Sequence, residues 1–141
     1  MKKAGTSFLA VVFVALTVLF VAAGPVAAKM VAVKNENVNM RSEPSLQSRV
    51  LWKLGKGFPL KVLRRSGNWY RVQDFEGEKG WVHRNVVNRT GHMIVKKQKI
   101  NIRNRPTTRS RIVAKANYGV VFKTLRQQSG WVKVRHENIT G

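Results

Sequence analysis

The sequence predicts an all-β protein: two small antiparallel units, each a barrel or sandwich, in tandem behind an N-terminal hydrophobic segment. Three observations predict it. The first is an internal repeat. Val38–Pro44 reads V-N-M-R-S-E-P and Ile100–Pro106 reads I-N-I-R-N-R-P, an offset of 62 residues that persists without a gap to Val72 and Val134. Twelve positions are identical over that span, among them Asn39/Asn101, Arg41/Arg103, Pro44/Pro106, Ser48/Ser110 and Trp69/Trp131. Such a period marks repeated structural units, and one of about 60 residues is long enough to be a small domain. The second observation is punctuation: short alternating apolar stretches are separated by Gly, Pro and Asn, the pattern of strands joined by tight turns. The third is that, after the N-terminal segment, no apolar stripe at helical spacing runs for more than two turns.

The chain opens with Met1-Lys2-Lys3, followed by an uncharged, mostly apolar run of 16 residues, Phe8 to Ala23, and then Gly24-Pro25 and Val26-Ala27-Ala28. A basic start, an apolar centre and a small-residue site form a secretory signal, so residues 1–28 are read as a hydrophobic signal helix cleaved after Ala28. The alternative is a retained membrane anchor, for which the run is short of the about 20 residues a span needs. Either way the basic start stays cytoplasmic and the repeats are exported, to the periplasm, the envelope or beyond. Membrane contact is then transient, through the signal alone.

The first unit, residues 29–90, reads as six strands. Met30–Lys34 alternates loosely and Asn35-Glu36-Asn37 turns. Val38–Arg41 follows, with Val38 and Met40 on one face. Ser42-Glu43-Pro44-Ser45 is a turn, since proline fixes φ and cannot donate to a ladder. Arg49–Leu54 is a third strand, and Gly55-Lys56-Gly57 a tight turn that glycine permits. Phe58, Leu60 and Val62 alternate along a fourth, Ser66-Gly67-Asn68 is a hairpin signal, and Trp69–Asp74 is a fifth. Glu76-Gly77-Glu78 turns into Lys79–Arg84, and Asn85–Val87 packs as a closing turn. Short strands of this kind suggest a small antiparallel barrel or sandwich, and full closure would remove its open sheet edges.

The ordered set V-N-M-R-S-E-P, L-G-K-G-F, G-N-W-Y-R-V and G-W-V-H-R resembles bacterial SH3-like (SH3b) domains. These carry an N-x-R-x-x-P phrase, a G-x-W-x-x-V strand and a terminal G-W-V strand. The resemblance covers Met30 to about Val87. It implies SH3-like β-barrels of five to six strands. It also implies a binding role: anchoring exported proteins to peptidoglycan or another envelope component, or mediating protein contacts, often beside a separate enzyme domain.

The second unit, residues 91–141, repeats these elements as Met93–Lys96, Ile100–Arg103, Arg111–Ala114, Val120–Arg126 and Trp131–His136, with Glu137–Thr140 as a turn. Gly141 aligns with Gly80 after one deletion, and no counterpart of Trp81–Arg84 occurs in the sequence. The second barrel is therefore expected to lack its last strand and to be the less stable. Either the native chain continues, the preferred reading because a bare edge is a liability, or another chain adds the strand.

The 27 Lys and Arg against 6 Asp and Glu give a net charge of +21, which predicts attraction to polyanions. The charge is uneven: residues 31–88 carry 11 basic and 5 acidic residues, residues 89–141 carry 13 and 1. Solubility needs a magnitude of only about 2–8 for a small domain, so an anionic partner is expected. There is no cysteine, which excludes disulfides, thiolate nucleophiles and Cys-ligated metals. The three histidines, His83, His92 and His136, are scattered, the acids fall mostly in turns, and no serine sits in a G-x-S-x-G setting. The chain is read as non-enzymatic, with no metal site and no cofactor.

The candidate contacts follow. Arg103, Arg105, Arg109 and Arg111 flank Pro106, and on extended chain residues two apart share a face, giving one basic ridge. Trp69 and Trp131 open matching strands, either as core or as stacking platforms. Trp52 aligns with Ala114, so the fold does not require it and a surface contact is the better reading. Asn39, Arg41 and Pro44, with Asn101, Arg103 and Pro106, form the structural repeat motif. Its asparagines are expected to bond the turn backbone. Its arginines either hold turn carbonyls or clamp a carboxylate or phosphate. The expected partner is a cell-wall glycan or peptide, or an envelope polyanion. The alternatives are an acidic protein and, with less support, a nucleic acid, for which interleaved exposed aromatics are few. The sequence does not settle the oligomeric state.

Overall fold

The computed structural model describes residues 28–141; the signal helix expected from the sequence lies outside the described residues. The fold is mostly β-sheet. In the first unit β1 is Met30–Val33, β2 Val38–Arg41, β3 Val50–Leu54, β4 Pro59–Ser66, β5 Trp69–Gln73 and β6 Lys79–His83. A 3₁₀ turn over Arg84–Val86 leads to β7, Val87–Asn88. All pair antiparallel in one sheet of order β3-β2-β6-β5-β4-β1-β7. The second unit comprises β8 His92–Ile94, β9 Lys99–Arg103, β10 Ile112–Asn117, β11 Val121–Gln128, β12 Trp131–His136 and β13 Ile139–Thr140.

The repeat is visible in backbone detail. Gly57 and Gly119 sit at φ 80° and 83°, a left-handed conformation that L side chains resist, so glycine is retained at both turns. The β4–β5 ladder shifts register between Val62 and Arg64, and β11–β12 shifts at the matching place, between Thr124 and Arg126. A bulge at Leu63 and Leu125 bends each long strand and raises its twist, which lets so short a sheet curl. The β2–β3 and β9–β10 ladders shift at matching places as well.

Alternation places the core. Val33, Met40, Leu54, Leu60 and Val72 are buried in the first barrel together with Val31, Val38, Val82 and Val87. The second core consists of Val95, Ile102, Ala116, Phe122 and Val134, the residues 62 positions after the first five. Met93, the counterpart of Val31, is 42% exposed, and the second unit's strands form two sheets, of order β10-β9 and β13-β12-β11-β8.

Glu137–Thr140, read as a turn from the sequence, is a turn followed by a strand. Glu137 takes φ 49°, so the chain reverses within two residues and Ile139–Thr140 pairs back on β12, with His136 opposite Ile139. The two barrels touch where a Cβ at Gly57 would meet the His92 ring. Nearby, Phe75 lies 5.8 Å from Phe58 and 5.5 Å from Tyr118, ring centre to ring centre. The Tyr118 hydroxyl donates to Glu76 Oε1 at 2.6 Å.

Candidate functional site

The repeated phrase builds the same loop twice. Arg41 Nη1 donates to the Ser48 carbonyl at 2.7 Å, and Arg103 Nη1 donates to the Ser110 carbonyl at 2.7 Å. The Ser48 hydroxyl bonds the Glu43 and Ser45 carbonyls at 2.9 and 2.8 Å; Ser110 bonds those of Arg105 and Thr107, both at 2.9 Å. Backbone bonds from Ser42 to Arg49 and from Asn104 to Arg111 close each loop at its neck. The first arginine of each phrase thus satisfies a loop carbonyl that turning would otherwise leave unpaired. The asparagines do not bond the turn: Asn39 Oδ1 is buried without a partner and Asn101 is exposed on β9. They lie in the strand before the turn, opposite Lys53 and Lys115, rather than within it.

One frame therefore displays two sets of side chains. In the first loop it carries Glu43, Leu46, Gln47 and Arg49; in the second, Arg105, Thr108, Arg109 and Arg111. Arg105, Arg109 and Arg111 are exposed, and Arg103 is half-buried at the neck. The ridge expected from extended alternation is instead a folded loop. Thr107 N bonds Arg105 O and Ser110 N bonds Thr107 O, so Arg105 and Arg109 stand on a turn around Pro106, not on one strand face.

Beside that loop runs a cleft of about 450 Å³ between β9 and β12. Ile102, Phe122 and Val134 line its floor, and Arg103, Arg105, Arg126 and Lys133 its rim; Trp131 also lines it. Trp131 is half-buried, as is Trp69 in the first barrel, whose ring meets His83 edge-on at 5.3 Å. Trp52 is 54% exposed on β3. The structure thus brings Arg103, Arg105 and Trp131 to one cleft and leaves Trp52 and Trp69 on the other barrel.

The first barrel has a tryptophan in the matching place. Trp81 on β6 is 3% exposed. Its ring lies under the guanidinium carbons of Arg64 and Arg71, at 4.8 and 5.6 Å, a paired cation–π contact. Sequence reading passed over Arg64 and Arg71. The signal was there, since Leu63-Arg64 repeats as Leu125-Arg126 and Arg71 as Lys133. The histidines near these strands serve the backbone: His83 Nδ1 accepts from Asn85 N at 3.3 Å, and His136 Nδ1 lies 2.9 Å from the Val121 carbonyl. Tyr118 titrates above its ordinary value, first because its hydroxyl donates to Glu76, then through desolvation and the nearby charges of Glu76 and Asp74.

Comparison with known proteins agrees with this geometry. Residues 34–88 match a family described as a bacterial SH3 domain, and residues 99–141 match a second family of the same description. YrvJ of Bacillus subtilis, named as an N-acetylmuramoyl-L-alanine amidase, is 23% identical over 120 residues, 77% of this chain and 23% of that protein. LytH of Staphylococcus epidermidis, named as a cell wall amidase, is 42% identical over 48 residues, 33% of this chain and 16% of that protein. The chain thus spans less than a quarter of the length of these relatives. A structure of NlpC1 from Trichomonas vaginalis aligns over 81% of this chain and 42% of its own, at 14% identity and a TM-score of 0.35, too slight a likeness to argue from. With two matched segments in tandem, each carrying the arginine-clasped loop, the chain belongs to the bacterial SH3 domain family.

Proposed function

We propose that the protein is an exported, non-catalytic module that attaches to a component of the cell envelope, peptidoglycan or an anionic polymer of the wall. One observation carries this reading: a tandem pair of bacterial SH3 domains in which the second copy turns the shared loop into a display of Arg105, Arg109 and Arg111. Cationic side chains on a clasped loop attract a polyanion without the cost of ordering a mobile segment. The reading is supported by the names of two relatives that share such a segment, one an N-acetylmuramoyl-L-alanine amidase and one a cell wall amidase. Export rests on the basic start and apolar run of residues 1–28.

The acids support a non-catalytic role. Asp74 Oδ1 accepts from the Glu76 and Glu78 amides, Glu36 from the Lys56 amide, and Glu76 from Tyr118. These carboxylates hold turns and the contact between barrels rather than facing each other across a cleft, as paired acids for glycoside cleavage would.

Cosedimentation with purified peptidoglycan, with and without its covalently attached anionic polymer, tests the reading. The protein is expected in the pellet, in an amount that falls as salt is raised, because screening shortens from about 10 Å at 0.1 M to about 3 Å at 1 M. Absence from the pellet with either preparation at low salt would sink it.

A further inference from the structure

The outward face of β4, β5 and β6 in the first barrel gathers cations without acids. Residues directly opposed across a ladder share a face of the sheet, as do residues two apart along a strand. Val72 and Val82 point into the core, so their neighbours on β5 and β6 point outward. Two outward rows cross the three strands: Arg64, Arg71 and Trp81, then Lys61, Gln73 and Lys79. Lys61, Arg64 and Lys79 are exposed and Arg71 is half-buried. Neither row contains an Asp or Glu. The nearest acids along the chain, Asp74, Glu76 and Glu78, lie in the turn between β5 and β6. There Asp74 accepts from the Glu76 and Glu78 amides, and Glu76 accepts from Tyr118. Arg64 and Arg71 stand directly opposite each other, with both guanidinium carbons near the one Trp81 ring. Like charges opposed in this way destabilise a ladder, and the ring offsets part of that. Arg41 and Arg65 are tied to the Ser48 and Gly67 carbonyls. A contact with a ring instead engages the charge and leaves the N–H donors of Arg64 and Arg71 for an oxyanion. The second barrel repeats the crowding, with Arg126 opposite Lys133 past the matching bulge.

We propose that this face of the first barrel binds a linear phosphodiester polymer of short polyol units. One phosphate sits between Arg64 and Arg71, and the next sits over Gln73 between Lys61 and Lys79. The two rows are two residues apart along β5, about 7 Å, an interval that suits successive phosphates joined by a short polyol. Paired guanidiniums favour phosphate, whose oxygens can accept from both forks at once. A nucleic acid carries the same linkage, but its bases need exposed rings on which to stack. Here the Trp81 ring beneath the arginines is 3% exposed. The site lies on a different barrel from the Arg105–Arg111 loop, so the inference goes beyond attachment through that loop and is tested apart from it.

A synthetic glycerol phosphate oligomer, titrated into the full chain at low salt, tests this. Saturable binding is expected, with amide shifts in Lys61–Arg64, Arg71–Gln73 and Lys79–Trp81. Arg64→Gln should weaken binding about tenfold, the effect of losing one charge-assisted contact. Arg64→Lys should recover only part of it, because the charge returns without the fork. Lys61→Gln/Lys79→Gln leaves both arginines over Trp81, so this variant should keep the parent's melting temperature and still bind more weakly. Absence of saturable binding, shifts confined to the Arg105–Arg111 loop, or parent affinity in either the Arg64→Gln or the double-lysine variant would overturn the proposal. Equal or tighter binding of a polyuronate of the same charge would overturn it as well, by showing generic attraction. The same result with a thymidine oligonucleotide would do so by making the ligand a nucleic acid. Any of these failures, with cosedimentation on purified wall intact, would remove this site and leave envelope attachment standing.

Discussion

Replacing Arg41 by methionine tests whether the repeated phrase folds the barrel or binds a ligand. The guanidinium donates to the Ser48 carbonyl at 2.7 Å in a half-buried position. A hydrogen bond from a charged donor is worth about 1.5–3 kcal/mol, and the carbonyl left behind keeps its desolvation cost. A barrel of about 60 residues has about 3–9 kcal/mol of stability in all, so a loss of about 2 kcal/mol is a large share. At about 4–8 °C per kcal/mol for a domain of this size, the first barrel should melt about 8–16 °C lower. Resolving amide signals of the two barrels separately in a thermal series keeps their transitions apart. Arg103→Met should lower the second barrel in the same way and leave the first unchanged. If Arg41→Met melted within about 2 °C of the parent and lost wall binding instead, the clasp would be a ligand clamp and the structural account of the phrase would be wrong.

Other perturbations read different parts of the structure. Gly80→Ala puts a Cβ into Met40 and the Arg41 carbonyl, an overpacking that should cost about 1–3 kcal/mol in urea unfolding; a neutral result would contradict the packing of β6 on β2. In Trp52→Ala, stability should stay within about 0.5 kcal/mol, because the ring is exposed on β3, while any stacking contribution to wall binding is lost; the two readouts separate surface contact from core. An alkaline absorbance titration should show Tyr118 ionising above the ordinary tyrosine range, and Glu76→Gln should bring it down. With its folded pKa raised, the Tyr118–Glu76 contact stabilises below the unfolded tyrosine pKa of about 10 and is lost as pH rises through the folded value. An unchanged titration in the variant would remove Glu76 as the cause.

Much of the fold was legible because its signals are local. Alternation in Phe58–Val62 and glycine at positions 57 and 67 specify strands and turns without reference to distant residues. The 62-residue offset did more, since it forced the same reading on both halves. Two kinds of feature were not legible. Arg105, Arg109 and Arg111 have an even spacing that suits a strand, but Ser110 closes a cage around Pro106 that spacing does not encode. The paired cation–π contact of Trp81 joins Arg64, Arg71 and β6 across three strands, and such a contact needs the register before it can be seen. The contact of Tyr118 with Phe75 and Glu76 lies between barrels, where a repeat, by treating the units as alike, gives no information.

The claim that the second barrel's cationic loop drives attachment to the envelope is met most directly by one binding measurement. The affinity of the full chain for purified cell wall would be followed from about 0.05 to 0.5 M salt, beside that of the Arg105→Gln/Arg109→Gln/Arg111→Gln variant. These side chains are exposed, so the variant should keep its melting temperature. The account predicts that affinity falls with salt, that the variant binds more weakly at low salt, and that its salt dependence is flatter. Binding by the variant equal to that of the parent at low salt, or binding by the parent that does not change with salt, would contradict it.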